Sequence, residues 1–449
     1  MPHYPSDAEA AETRKKLALA ARRLDAVLEE IKRIAASEFA YRAAEDALDR
    51  IKNLFEEDRK FLGKLDEGSD PGAVDTLGRT VLTHLHEHLP LLGLIIRSTN
   101  VRNAFELHAP LVRLAWSIIG PEIRVVLSSE WEYSPMIFLE APSLREFVFI
   151  GFPAHESGNP FITPLAGHEL GHALWSHDTH GLWRAAFEDQ LEREIIRLIV
   201  EDSKTRSAFE SLYQEAAGAT LEQLSEDLFY RSTWQQAFEW ATKQSEEYFC
   251  DLVGIRIFGE SFLHAFGYLL RPSFEGERPV EYPNNERRID IQVRAAEAYG
   301  VSVPHGYSTW FEKMTEPSEH ETLKTFLLGL ADRAADGLCE ELISHVGVLV
   351  TLPNPAPSRE SPAKRGKDVK VDQPVQNRGR IENEFINGAP PEHAGGLAPL
   401  LNAAWNVLLS DEPLRGIPPE RKEEVLRELL LKAMEVLEYE TRTASLNVA

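Results

Sequence analysis

The residues best able to do chemistry lie in Gly167-His168-Glu169-Leu170-Gly171-His172. On a helix, residues four apart share a face, so His168 and His172 can offer two imidazole nitrogens to one ion. Glu169 then stands beside that ion and can take a proton from a water molecule. Neutral nitrogen ligands, an open coordination position and an adjacent base are what zinc-assisted hydrolysis requires. An amphipathic core helix with two satisfied histidines gives the same spacing, so the surroundings must decide. Thr163-Pro164 reads as a helix start, with Thr as the cap and Pro in the first turn. Upstream, Phe147-Val148-Phe149-Ile150 reads as a strand. Gly167 and Gly171, one turn apart, leave room for another element to approach closely.

A third protein ligand is needed. Asp178 falls where H-E-x-x-H-x-x-G-x-x-H/D metalloproteases place theirs, but Trp175 stands at the turn-making glycine, so the helix is expected to continue past it. A better candidate lies in Glu246-Glu247-Tyr248-Phe249-Cys250-Asp251, inside a helical pattern over 234–258. Glu247 can reach a metal while Asp251, four residues on, accepts the second ring N–H of a histidine ligand and fixes its tautomer. Glu246 lies about 100° around that helix and is expected to face elsewhere. An isolated E-x-x-x-D is otherwise an ordinary solvated face.

These residues resemble a known family. Glu247-Tyr248-Phe249-Cys250-Asp251-Leu252-Val253-Gly254 is similar to the E-[YF]-x-A-D-x-x-G segment of gluzincin metallopeptidases, in particular the family of the CAAX prenyl proteases and the bacterial heat-shock membrane protease. Tyr282-Pro283-Asn284-Asn285-Glu286-Arg287-Arg288-Ile289 resembles that family's H-P-x-x-x-x-R-I segment, with Tyr282 in place of the histidine. The resemblance spans about residues 146–298 and rests on three short motifs in order. It implies His168, His172 and Glu247 as zinc ligands and Glu169 as catalytic base. It also implies Asp251 as support behind a ligand, and Arg288 as an active-site or structural arginine. Family members are mostly membrane-embedded, whereas this sequence has no apolar run long enough to span a bilayer.

The elements that must position these groups follow from the rest of the chain. Residues 1–120 read as helical, with a heptad-like run from Leu17 to Ile34 resuming at Ala44. A hairpin folded on its own domain is preferred to a coiled-coil arm, because sustained coiled coils need more clean heptads. His84 and His88 have ligand spacing but read as ordinary helix histidines. Two strands are expected at 123–129 and 145–151, the second either as an edge able to pair with an extended substrate or simply as a buried core strand. Residues 121–350 form the expected zinc metallopeptidase domain, with a helical insertion at 181–244 as cleft wall, lid or extra scaffold. Residues 351–396, rich in Pro, Gly and charge, read as a linker or extended arm open to proteolysis. Residues 397–449 return to helix. The fold class is therefore α+β and mostly helical: a zincin-like core with a small mixed sheet and the HExxH helix, plus helical N- and C-terminal extensions.

The chain has 72 acidic and 48 basic residues, a formal charge of -24. That charge disfavours nucleic acid and anionic membranes as partners. Two cysteines and an N-terminus with no basic or apolar signal segment point to a cytoplasmic location. The expected activity is zinc-dependent hydrolysis of a protein or peptide substrate, with Zn2+ as cofactor. Arg288, Tyr282, Tyr248 and His180 are candidates to stabilise the oxyanion. Two alternatives stand beside it: an interaction scaffold with a structural or vestigial metal site, and a protease gated by a regulatory partner or by its own linker. Self-association through the helical arms fits either.

Overall fold

Leu24, Ile31 and Ile34 on one helix, and Leu48, Ile51 and Phe55 on the next, are buried in a common core. The apolar spacing of the N-terminal sequence thus closes on itself. The computed structural model describes residues 7–66, 69–101, 104–132, 135–138, 144–156, 158–177, 181–270, 278–311, 322–350 and 374–446. The chain divides into two units, one comprising residues 1–112 and 122–158, the other 113–121 and 159–449.

In the first unit, helix α1 (Asp7–Ala35) folds back on α2 (Arg42–Leu62), and both pack on α3 (Pro71–Arg97); α4 (Ala104–Ile118) follows, its residues from Arg113 on being assigned to the second unit. The helical hairpin is realised. Asp70 caps α3, accepting from the Ala73 N–H at 2.9 Å, as Asp does at a helix start. Strands β1 (Arg124–Glu130), β2 (Met136–Phe138) and β3 (Phe147–Pro153) form a sheet in the order β1-β3-β2. β3 pairs in parallel with β1 (Arg124 opposite Phe147) and antiparallel with β2 (Met136 opposite Gly151). The Tyr41 hydroxyl donates to the Leu127 carbonyl, and its ring stacks on His108, which itself bonds Val125 O at 2.8 Å. His84 is engaged by Asp58 at 2.7 Å and buried His88 by the His84 carbonyl, as ordinary helix histidines would be.

Two expectations are corrected here. β3 is the central strand, buried along its whole length, so its ladder is filled on both sides and it offers no edge to a substrate. The sheet also groups with the N-terminal helices, whereas the break at Gly120-Pro121 had placed it with the following domain. The reason is packing: β1 lies on α2 and α3, which need a cover for their apolar face.

The second unit contains α5 (Ala166–Ser176), α6 (Gly181–Glu201), α7 (Ser203–Leu212), α8 (Leu221–Glu226), α9 (Leu228–Ser232) and α10 (Gln235–Phe258). Next come α11 (Glu260–Leu270), α12 (Asn285–Ala298), α13 (Thr322–Gly337) and α14 (Cys339–Leu349). α15 (Pro374–Ile386), α16 (Leu397–Leu409) and α17 (Lys422–Leu446) complete it. Every residue of α10 from 244 to 255 is buried, because α5, α6, α11, α12, α13, α14 and α16 surround it. A helix apolar on one stripe only could not sit there, and α10 accordingly mixes apolar residues with paired charges. The insertion helix α6 buries Phe187, Leu191 and Ile195 and packs on α10 and α13, which makes it scaffold for α10.

The segment expected to be an arm is partly built into this unit. α15 packs on α16 and buries Ile381 and Phe385, two apolar residues one turn apart that the polar composition concealed. Residues 351–373 lie outside the described ones. α16 and α17 also join the unit, burying Leu400, Leu401, Leu426 and Leu430, with Trp405 Nε1 donating to Phe161 O at 3.2 Å. Among the described residues no helix is long and apolar enough to cross a membrane.

Candidate metal centre

α5 begins later than its sequence suggested. A 3-10 turn, Pro160–Leu165, leads into it, and Asn159 caps that turn by accepting from the Phe161 N–H at 3.1 Å. Thr163 lies inside the turn and is not the cap. α5 also ends sooner than expected, at Ser176, where His177 turns extended. Trp175 is buried against Trp183, Phe187 and Phe249, so an aromatic anchor occupies the position of the expected glycine. Asp178 and His180 lie outside the described residues.

α5 and α10 run antiparallel with little between them. A methyl group at Gly167 would stand 2.9 Å from Gly254 Cα, and one at Gly171 2.6 Å from Cys250 Cα. One turn up α5 therefore matches one turn down α10. Alanine at Gly171 would gain about 1 kcal/mol of helix propensity. Overpacking costs about 1–3 kcal/mol, and the obstacle here is backbone, so the helices must part. Gly171→Ala is expected to lower stability by up to about 2 kcal/mol, the overpacking cost less the propensity gain, and to loosen the histidine pair. Gly78→Ala, where nothing lies within 4 Å, is expected to stabilise. Chemical denaturation of both variants checks this. A Gly171 variant as stable as the Gly78 one would count against the close seam.

This seam aligns the chemistry. His168 Nδ1 donates to Asp251 Oδ1 at 2.8 Å, and His172 Nδ1 donates to Glu246 Oε1 at 3.0 Å. Carboxylates only accept, so both rings carry hydrogen on Nδ1 and direct Nε2 elsewhere. Both Nε2 atoms face one carboxylate: His168 Nε2 lies 3.5 Å from Glu247 Oε2, and His172 Nε2 lies 3.6 Å from Glu247 Oε1. Two imidazole nitrogens and a carboxylate facing one point are a donor set that zinc accepts. Glu247 Oε2 is buried with no hydrogen-bond partner, although Arg288 lies at ion-pair distance, 3.2 Å. An orphaned buried oxygen of this kind fits a site that a cation completes.

Cys250 Sγ is also close enough to both histidines to count as a ligand candidate. It lies against the Gly171 backbone, in the seam itself. Burial, with Glu246, Glu247, Asp251 and Glu169 around it, pushes its thiol pKa well up. Glu247, whose carboxylate faces both Nε2 atoms, is the third donor that the geometry favours.

Asp251 is the hub of the support. Besides His168 it accepts from Arg288 Nε at 2.6 Å, Arg288 Nη2 at 2.9 Å and Gln292 Nε2 at 2.8 Å, and Tyr307 donates to Gln292 at 2.6 Å. All of these side chains are buried. Burial alone would raise the Asp251 carboxyl, but Arg288 and His168 outweigh it and hold it well below the usual range. Burial likewise raises Glu247, and His168 and Arg288 bring it down to about 2. For His168 burial acts downward, and Asp251 and Glu247 raise it to about 10. Glu169 moves the other way, pushed up by burial despite the two histidines.

Among the oxyanion candidates the structure separates roles. Arg288 is buried and occupied by Asp251 and Glu247, with its guanidinium over the Phe266 ring at 4.9 Å, so it positions carboxylates. Tyr248 donates to Asp336 at 3.1 Å. Tyr282 is half-exposed, and the charge of Glu247 is the largest influence raising its phenol, followed by burial. Its backbone is clamped: Arg278 Nε donates to Tyr282 O at 2.8 Å while the same buried guanidinium makes two bonds to Asp332. Gln244 of α10 ties the same loop at Val280 O, 3.1 Å away.

Sequence reasoning missed Glu246, Gln292, Tyr307 and Arg278. The signal for Glu246 was present: an antiparallel helix that places Asp251 behind His168 must place residue 246 or 247 behind His172, one turn away. Two residues 100° apart both fit the width of a buried stripe. No family model, no curated protein and no solved structure matches this chain.

Proposed function

We propose that the chain is a zinc-dependent peptidase of gluzincin type with a zincin-like catalytic centre, acting on a protein or peptide substrate. The observation that carries this reading is the pair of histidine Nε2 atoms facing one carboxylate, 3.5 and 3.6 Å from Glu247. His168, His172 and Glu247 would hold the metal, which when bound supplies a water acidified to around neutral and a polarised carbonyl. Glu169, buried beside the two histidines, takes the proton of the attacking water and delivers it to the leaving amine. Tyr282 is the donor best placed by exposure to steady charge developing on the carbonyl oxygen. Arg288 acts through Asp251 and Glu247 and is a positioning residue.

The test joins metal content to peptide cleavage. Purified protein is expected to carry one zinc per chain and to cleave an unstructured protein such as casein. Chelation should stop cleavage and zinc should restore it, while Glu247→Ala should bind zinc severely less well. Stoichiometric zinc without cleavage of any peptide, with unfolding on chelation, would instead support a structural site in a scaffold.

A further inference from the structure

The two histidines of α5 are held from behind in different ways. Behind His168 stands a buried array in which Asp251 is fixed by Arg288 and Gln292. Behind His172 stands Glu246, 3.0 Å from Nδ1, whose other oxygen accepts from Lys243 Nζ at 3.1 Å. Lys243 is one turn earlier on α10 and its side chain is 62% exposed, against 12% for Glu246. This half of the centre therefore borders an exposed side chain, whereas the Asp251 array is buried.

We propose that Glu246 is a positioning residue for the metal, holding His172 with hydrogen on Nδ1 and a lone pair on Nε2. The inference rests on reading this site as a metal centre. Two physical effects follow. The hydrogen bond fixes the ring's rotation and tautomer, and the carboxylate makes the opposite nitrogen a better donor. Lys243 keeps the carboxylate in place, but an exposed pair contributes little energy. The weight thus falls on Glu246 itself. The site has a carboxylate behind each histidine and a third between them.

Nitrogen NMR of the histidine rings in the metal-free, full-length protein reads the tautomer without any activity. Wild-type His172 is expected to carry hydrogen on Nδ1. Glu246→Ala should release it toward the Nε2–H form and weaken zinc binding by ~10–100-fold. Glu246→Gln, whose amide oxygen still accepts, should keep the tautomer and most of the affinity. Lys243→Ala should stay within a few-fold of wild type. An unchanged tautomer and zinc affinity in the Ala variant, with its far-UV spectrum intact, overturns the inference, as does a Gln variant no better than Ala. Wild-type protein that takes up no zinc overturns the peptidase reading as well, so the two failures are distinct.

Discussion

Replacing Glu169 by Gln is expected to leave zinc binding near wild type and to reduce peptide hydrolysis by roughly 10²–10⁴-fold. The side chain lies between the two histidines in sequence, and it is buried. Gln preserves the volume and an acceptor oxygen, so the seam between α5 and α10 should not notice the change. What it removes is the capacity to take a proton and return it. Glu169 makes none of the contacts behind His168 and His172, which go to Asp251 and Glu246. Metal affinity should therefore be spared. Isothermal titration with zinc and a cleavage assay on the same preparation separate the two effects. Loss of zinc would make Glu169 a ligand, and unchanged turnover would remove it from the chemistry.

Asp251→Ala should have the largest structural effect of any single substitution at the site. It strands a buried guanidinium, a buried amide and an imidazole N–H together. Removing one partner of a buried ion pair costs about 3–5 kcal/mol, because the remaining charge is left uncompensated. Support behind a ligand alone would cost only metal affinity, ~10–100-fold. With Arg288 and Gln292 converging on the same carboxylate, loss of the fold's cooperativity is the better expectation. Chemical denaturation of the metal-free variant measures it. Asp251→Asn should be milder, since the amide oxygen still accepts while the charge is gone. A metal-free Asp251→Ala protein within 1 kcal/mol of wild type, about the scale of an ordinary surface pair, would show that the array carries little weight.

Much of the centre was legible because its information is local. Helical spacing places His168 and His172 together, and i to i+4 spacing links Glu247 with Asp251. What was not legible depends on how two helices meet. Glu246 was expected to face elsewhere from its angle on one helix, whereas its role is fixed by the antiparallel register of α10 against α5. The support of Asp251 by Gln292 and Tyr307 requires α12 to return to the seam, which no short motif encodes. In the fold, the N-terminal hairpin followed from apolar spacing, since local contacts dominate it. Strand order did not follow: nothing in Phe147–Pro153 says that an earlier strand will sit on each side. The helix α15 was hidden for a different reason, its burial resting on Ile381 and Phe385 within a polar stretch.

The encirclement of α10 has a consequence for time scales. A helix with solvent on one face can fray and re-form in isolation, and its amides exchange with water through small openings. Residues 244–255 have no such face. Their amides can meet water only when much of the second unit opens, so they belong to its slowest-exchanging core. A metal held by His168, His172 and Glu247, as proposed, would therefore have to enter by side-chain rotation within a standing backbone.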